Sequence, residues 1–190
     1  MDTYGIPHHK KVILYIPSFR DNHRVDCYGL DAHTLLSALE NKFGHDWVLM
    51  VRLHPRLKEI FENDLFKFSK HIIDATYYPD IQEILVAGDA AITDYSSCIF
   101  DFMLSYKPAF IFATDRQNYG SDRGFYYPLS ETPFPIAESN AELIRNIKNF
   151  DIKKYQTAVK KFLKGKGCME DGCASSRVVD LIENIMKEKV

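Results

Sequence analysis

The feature that most constrains this chain is a series of short apolar runs, each too brief for a helix and most followed by a helical pattern. Lys11 to Ile16 (KVILYI) is dominated by β-branched and other apolar residues and is closed by Pro17, which predicts a buried strand. Asp31 then stands as an N-cap before HTLLSALENKF, where Leu35, Leu36, Leu39 and Phe43 recur at helical spacing and Gly44 supplies a stop. The alternation continues through a strand at Trp47 to Leu53, a weaker helix at Leu57 to Phe66 and a strand at His71 to Asp74. A helix at Asp80 to Val86, a strand at Ala90 to Thr93, a helix at Ser97 to Ser105 and a strand at Ala109 to Phe112 follow. Strands alternating with helices predict an α/β fold, a Rossmann-like doubly wound parallel sheet, because right-handed crossovers lay helices over both of its faces.

From Thr114 to Pro135 the pattern breaks into a polar, aromatic and glycine-containing stretch, and a loop of that length inside a compact domain is more often functional than accidental. Helical patterns resume at Asn140 to Phe150, Ile152 to Leu163 and Ala174 to Met186. With 190 residues and 46% hydrophobic content the chain can bury a substantial core, with residues 1–10 as a leading segment or linker and 11–190 as the domain. The formal charge of −2 gives no global basic field, so a nucleic-acid partner is not expected. Cys27, Cys98, Cys168 and Cys173 form neither a CxxC pair nor a zinc-ligand spacing and read as reduced thiols. No stretch approaches the roughly 20 apolar residues that cross a bilayer, and the start lacks a signal-peptide core, so a cytoplasmic location is expected.

In an open parallel sheet, ligands bind beyond the carboxyl ends of the strands, where backbone amides and helix N-termini face a crevice. The first strand ends in Pro17-Ser18-Phe19-Arg20, the second in Arg52-Leu53-His54-Pro55 and the fourth in Thr93-Asp94-Tyr95-Ser96-Ser97. Hydroxyls and amides at a helix start, joined by guanidinium groups, are what a diphosphate requires. Polar residues collect at strand ends in any such fold, and neither GxGxxG nor GxxxxGK[ST] occurs.

Five segments taken together are more specific. IPSFRDN (Ile16 to Asn22), RLHP (Arg52 to Pro55), AGDAAITDYSSCIFDF (Ala87 to Phe102), DRGFYY (Asp122 to Tyr127) and DGCASSRVV (Asp171 to Val179) resemble, in this order, the CDP-glycerol glycerophosphotransferases of teichoic acid synthesis. The resemblance implies the C-terminal half of a GT-B fold, which binds the CDP-polyol donor in a cleft against an N-terminal half that has no counterpart before Lys11. It further implies a catalytic role for His54, the histidine of the matching RxHP segment.

The residues themselves leave several roles open. His54 is either incidental to the strand end or the group that donates to the diphosphate as its bridging oxygen takes up charge. Asp94, Ser96 and Ser97 are good helix-start residues and, on an open crevice, equally an anion site, with Asp94 shaping the turn. Arg20 and Arg52 are either surface ion pairs or phosphate ligands, and Arg123 beside Gly124 is a further phosphate candidate. Phe125, Tyr126 and Tyr127 either pack on the domain or border the base. Ser175 and Arg177 either open a well-capped helix or touch the nucleotide. Six lysines between Lys153 and Lys166, beside Val159, Phe162 and Leu163, form a basic amphipathic helix. It either packs on the core or meets anionic lipid at the inner face of a membrane.

The expected activity is therefore transfer of a polyol phosphate from CDP-glycerol or another CDP-polyol to an acceptor hydroxyl, with CMP released and the acceptor held through the absent N-terminal half. No cofactor is expected, and no carboxylate pair suggests a metal site. Alone, such a domain should bind donor and turn over weakly or not at all. The alternatives are a GT-B glycosyltransferase domain using a UDP- or CDP-sugar and a nucleotide-binding module without turnover.

Overall fold

Strand β1 (Lys11–Tyr15) lies between β2 (Trp47–Val51) and β4 (Ala90–Thr93), and a computed structural model describes the chain over residues 2–20, 26–60, 66–116 and 128–188. With β3 (Ile72–Asp74), β5 (Ala109–Phe112) and β6 (Ile136–Ala137) they form one parallel sheet in the order β3-β2-β1-β4-β5-β6. Every residue of β2, β4 and β5 is buried, as expected where helices cover both faces and the strands read as continuous apolar runs.

The helices α1 (Ala32–Phe43), α2 (Pro55–Ile60), α3 (Ile81–Ala87) and α4 (Cys98–Met103) follow β1, β2, β3 and β4 in turn. α5 (Asn140–Lys148), α6 (Ile152–Gly165) and α7 (Ala174–Glu188) complete the chain. Asp31 caps α1 by accepting from the Thr34 amide, and Gly44, at φ 70°, ends it. α1 packs on β2 and α5, whereas α3 and α4 pack on each other. Right-handed crossovers running in opposite directions along the sheet, β1 to β2 through α1 and β3 to β4 to β5 through α3 and α4, put these two pairs on opposite faces. Leu35 and Leu39 of α1 are fully buried, each contributing roughly 1.5–3 kcal/mol by leaving water. Gly88 ends α3 tightly against β1, since a β-carbon there would lie 2.6 Å from Leu14 Cδ1.

Most differences from expectation are at edges. α2 ends at Ile60, and residues 61–65 of the longer expected helix lie outside the described residues. α4 is six residues long, against the nine expected from Ser97 to Ser105. The stretch expected as loop to Pro135 contains a 3₁₀ turn at Leu129–Glu131 and is followed by β6, whose two residues are too few to carry an alternation signal. Residues 2–10 do not behave as a linker: Asp2–Tyr4 forms a 3₁₀ turn, Ile6 joins the core at 4% exposure, and Tyr4 packs on Tyr78 with ring centroids 5.9 Å apart.

The two C-terminal helices use their apolar faces differently. In α6, Tyr155 and Val159 are buried and Phe162 stacks on Phe100, so the apolar face is spent on the domain and the exposed lysines form its outer side. α7 buries no residue, and Leu181 and Met186 stand 59% and 65% exposed. No helix among the described residues is long and apolar enough to cross a membrane.

Candidate functional site

The strand order reverses between β1 and β4, and the carboxyl ends of these neighbours open the crevice where doubly wound folds take ligands. Asp94, the residue after β4, is 3% exposed and fully occupied. Its Oδ1 accepts from the Ser18 amide at 2.8 Å, the Ser18 hydroxyl at 2.7 Å and the Tyr95 amide at 2.5 Å. Its Oδ2 lies 2.8 Å from Arg20 Nη2. Thr93 adds a hydroxyl bond to the Ile16 carbonyl at 2.5 Å, and Tyr28 donates to the Ser18 carbonyl at 2.9 Å. The turn is shaped from beneath by Asp94, both of whose oxygens are engaged within the protein.

Arg20 is not placed as a phosphate ligand. Its guanidinium is 6% exposed and turned inward, with Nε and Nη2 donating to the two oxygens of Asp115 at 2.8 and 3.1 Å and Nη1 to the Ser18 carbonyl at 2.9 Å. Burial opposes its charge, but the bonds and attraction from Asp115 and Asp94 outweigh burial and raise its pKa. Burial likewise works to raise the Asp115 carboxyl, and Arg20 with the Tyr95 hydroxyl overcomes it, holding the carboxyl below the usual carboxylate range. Burial and the adjacent Asp115 push the Tyr95 phenol up, so it remains a donor to Asp115 Oδ1 at 2.9 Å. The Arg20 guanidinium lies 4.8 Å from the Tyr95 ring centroid, completing a buried cluster below the crevice.

Above this floor the polar groups are less committed. Ser97 is exposed and its side chain makes no cap bond, and Ser96 Oγ accepts from the Cys98 amide at 3.5 Å and also bonds the Cys98 thiol. Among the described residues the backbone amides of Ser96 and Ser97 have no acceptor. Because α4 has under two turns, these local hydroxyls and amides, rather than a long helix dipole, would meet an anion. Arg52 donates from Nη2 to the Tyr78 carbonyl at 3.2 Å, while its buried Nε has no partner among the described residues. His54 is exposed, and its Nδ1 accepts from the Arg56 amide at 3.3 Å, which leaves Nε2 as the N–H of the neutral ring. Its ring packs on Phe19 of the neighbouring tip with centroids 5.3 Å apart.

The chain thus brings Arg20, Asp94, Ser96 and Ser97 together and joins His54 to them through Phe19, with Arg52 on the same carboxyl edge. Ser175 and Arg177 do not join them: both lie on exposed α7, where Arg177 Nη1 is held by Asp171 Oδ1 and Oδ2 at 2.9 and 2.7 Å. Arg123, Phe125, Tyr126 and Tyr127 fall outside the described residues. Sequence reasoning placed Ser18, Phe19 and Tyr95 at the strand tips without giving them these contacts, and it missed Asp115. The strand-end rule applied to β5 as well would have found Asp115, three residues past Phe112. Cys98 is no nucleophile candidate, because burial raises its thiol pKa. No group of three or more His, Cys, Asp or Glu among the described residues is placed to hold a metal ion.

A doubly wound sheet with this order and an open carboxyl edge at its switch point is a Rossmann-like domain of the kind that forms one half of a GT-B enzyme. Residues 1–184 match the family described as CDP-Glycerol:Poly(glycerophosphate) glycerophosphotransferase, and the chain belongs to that family. It is 35% identical to a teichoic acid glycerol-phosphate transferase of Staphylococcus aureus, over 94% of this chain and 46% of the relative. It is 32% identical to a teichoic acid ribitol-phosphate primase of Bacillus spizizenii, over 94% of this chain and 45% of the relative. Among solved structures, a variant of the wall teichoic acid polymerase TagF soaked with CDPG superposes with a TM-score of 0.74 at 32% identity, covering 99% of this chain and 46% of that one. The chain thus spans less than half the length of these relatives.

Proposed function

We propose that this chain is the donor-binding half of a polyol-phosphate transferase that holds CDP-glycerol or a close CDP-polyol at the β1/β4 switch point. The observation that carries this reading is the division of labour at the strand tips. Asp94 and Arg20 are consumed in a buried floor, while Ser96, Ser97, Arg52 and His54, at the same carboxyl edge, keep donors that no described residue takes. The family membership supports a CDP-polyol as the ligand.

In the reaction so framed, an acceptor hydroxyl attacks the β-phosphorus and CMP leaves. A phosphoryl site contributes mainly position and charge stabilisation, and here the Ser96 and Ser97 hydroxyls and amides and the Arg52 guanidinium would take the diphosphate oxygens. The His54 Nε2–H would donate to the bridging oxygen as the bond to CMP breaks. The acceptor would be bound by a second wall, so the isolated chain should bind donor and turn over poorly. Contact with anionic lipid through α6 would be electrostatic, because the apolar side of that helix is already packed.

Titration calorimetry of the 190-residue chain against CDP-glycerol, CDP-ribitol, CMP and UDP-glucose tests the reading. A CDP-polyol should bind more tightly than CMP, and UDP-glucose should not bind. Binding of UDP-glucose alone would move the chain to the sugar-nucleotide transferases.

A further inference from the structure

Three strand tips meet at one buried guanidinium, and among the described residues that cluster holds two carboxylates against the one cation. Arg20 is paired with Asp94 Oδ2 at 2.8 Å and with Asp115 Oδ2 at 2.8 Å, the three side chains being 6%, 4% and 11% exposed. One carboxylate would suffice to neutralise Arg20. A second adds an unbalanced buried charge whose desolvation is unfavourable, so charge pairing alone does not account for Asp115.

Its geometry does. Asp115 takes Nε and Nη2 of Arg20 with its two oxygens and, with Oδ1, also takes the Tyr95 hydroxyl at 2.9 Å. Tyr95 is therefore pinned twice, its amide on Asp94 and its hydroxyl on Asp115, with its ring against the guanidinium that both carboxylates hold. The residue pinned in this way immediately precedes Ser96 and Ser97.

We propose that Asp115 is a positioning residue for the donor site. Acting through Tyr95 and Arg20, it holds the turn that presents the Ser96 and Ser97 hydroxyls and amides to the diphosphate. The proposal rests on the donor-site reading above. Asp89 provides an internal contrast, since it also ties a loop to β1, accepting from the Val12 amide at 3.0 Å and pairing with Lys11 at 3.0 Å. It does so at the opposite end of the strands, before β4 rather than after it.

The test is backbone ¹⁵N relaxation on the 190-residue chain, together with calorimetric titration of CDP-glycerol, for the wild type, D115N, Y95F and D89N. In D115N the order parameters of Tyr95, Ser96 and Ser97 should fall from the rigid range of about 0.85 toward about 0.6, and donor affinity should fall roughly tenfold. Y95F keeps the ring and removes only the hydroxyl bond, so it should loosen the same three amides to a smaller degree, and it serves if D115N does not fold. D89N should lower thermal stability without changing either readout. Unchanged order parameters in both D115N and Y95F, or equal loosening in D89N, would overturn the proposal. So would a loosened turn that binds CDP-glycerol as tightly as before. A wild-type chain that binds no CDP-glycerol defeats the donor reading instead, and the relaxation data then decide the pinning of the turn by themselves.

Discussion

Ser18 donates both its amide and its hydroxyl to one oxygen of Asp94, at 2.8 and 2.7 Å, and so ties the end of β1 to the end of β4 across the switch point. The two strands are adjacent in the sheet but 76 residues apart along the chain at this contact. The pair therefore fixes the floor of the crevice by long-range closure rather than by a local turn.

Replacing Asp94 with alanine strands two Ser18 donors and half of the Arg20 pairing in a buried setting. The expected cost is about 3–5 kcal/mol, the range for removing one partner of a buried charge pair. Ser18→Ala loses a neutral hydroxyl bond and should cost roughly 1 kcal/mol. Urea unfolding followed by circular dichroism gives both values, and equal losses would show that the hydroxyl rather than the carboxylate governs the floor.

Asp115 sets an acid limit. Burial raises its carboxyl and Arg20 lowers it further, so the folded value lies below the unfolded value of about 3.9. Its contribution to stability is complete above the unfolded value and disappears as pH falls through the folded one. Asp31 and Asp151 shift in the same direction through their helix-cap bonds, so the wild type alone does not isolate the effect. D115N should show a shallower decline of thermal midpoint than the wild type as pH is lowered from 5 to 2, about the range over which paired carboxylates titrate. Parallel declines would mean that Asp115 is not shifted.

Gly88 tests packing at the other end of the sheet. Its φ of −70° suits any residue, so only space is at stake, and a methyl group there meets Leu14 at 2.6 Å and the Phe102 ring at 3.3 Å. Gly88→Ala should destabilise by about 1–3 kcal/mol through overpacking. Leu14→Val in the same chain should recover part of that loss, and a thermal melt of the double variant measures the recovery.

Arg52 and His54 should separate in their effects. Arg52→Ala removes a charge-assisted donor and should weaken CDP-glycerol binding by roughly 10- to 100-fold, as expected for about 1.5–3 kcal/mol. His54→Ala should change donor affinity by less than about threefold while lowering turnover in a complete family enzyme at least about 100-fold, the scale for losing one donor aimed at charge that develops as the bond breaks. Equal losses of binding and turnover would make His54 a binding residue.

The doubly wound architecture was legible because strands buried on both faces must be apolar throughout, and VILY, WVLMV and AFIF are. The helix cap at Asp31 was legible for an equally local reason, an acceptor three residues before the amide it takes. β6 was not, because two residues hold no period and its position depends on pairing with β5. At the site, the strand-end rule found Arg20 and Asp94 but not the sense of their side chains. Whether an arginine faces a ligand or the interior depends on Asp115, 95 residues away, and no spacing signal connects the two.

The bare helix α7 separates two histories within one chain. Residues 167–187 are all exposed, and Val178, Leu181, Ile182 and Ile185 rest on nothing in the core. Cutting the chain after Lys166 should leave the thermal midpoint of the sheet unchanged. Substitutions along the helix are therefore invisible to folding of the domain, and its apolar stripe adds nothing to the stability of this sheet.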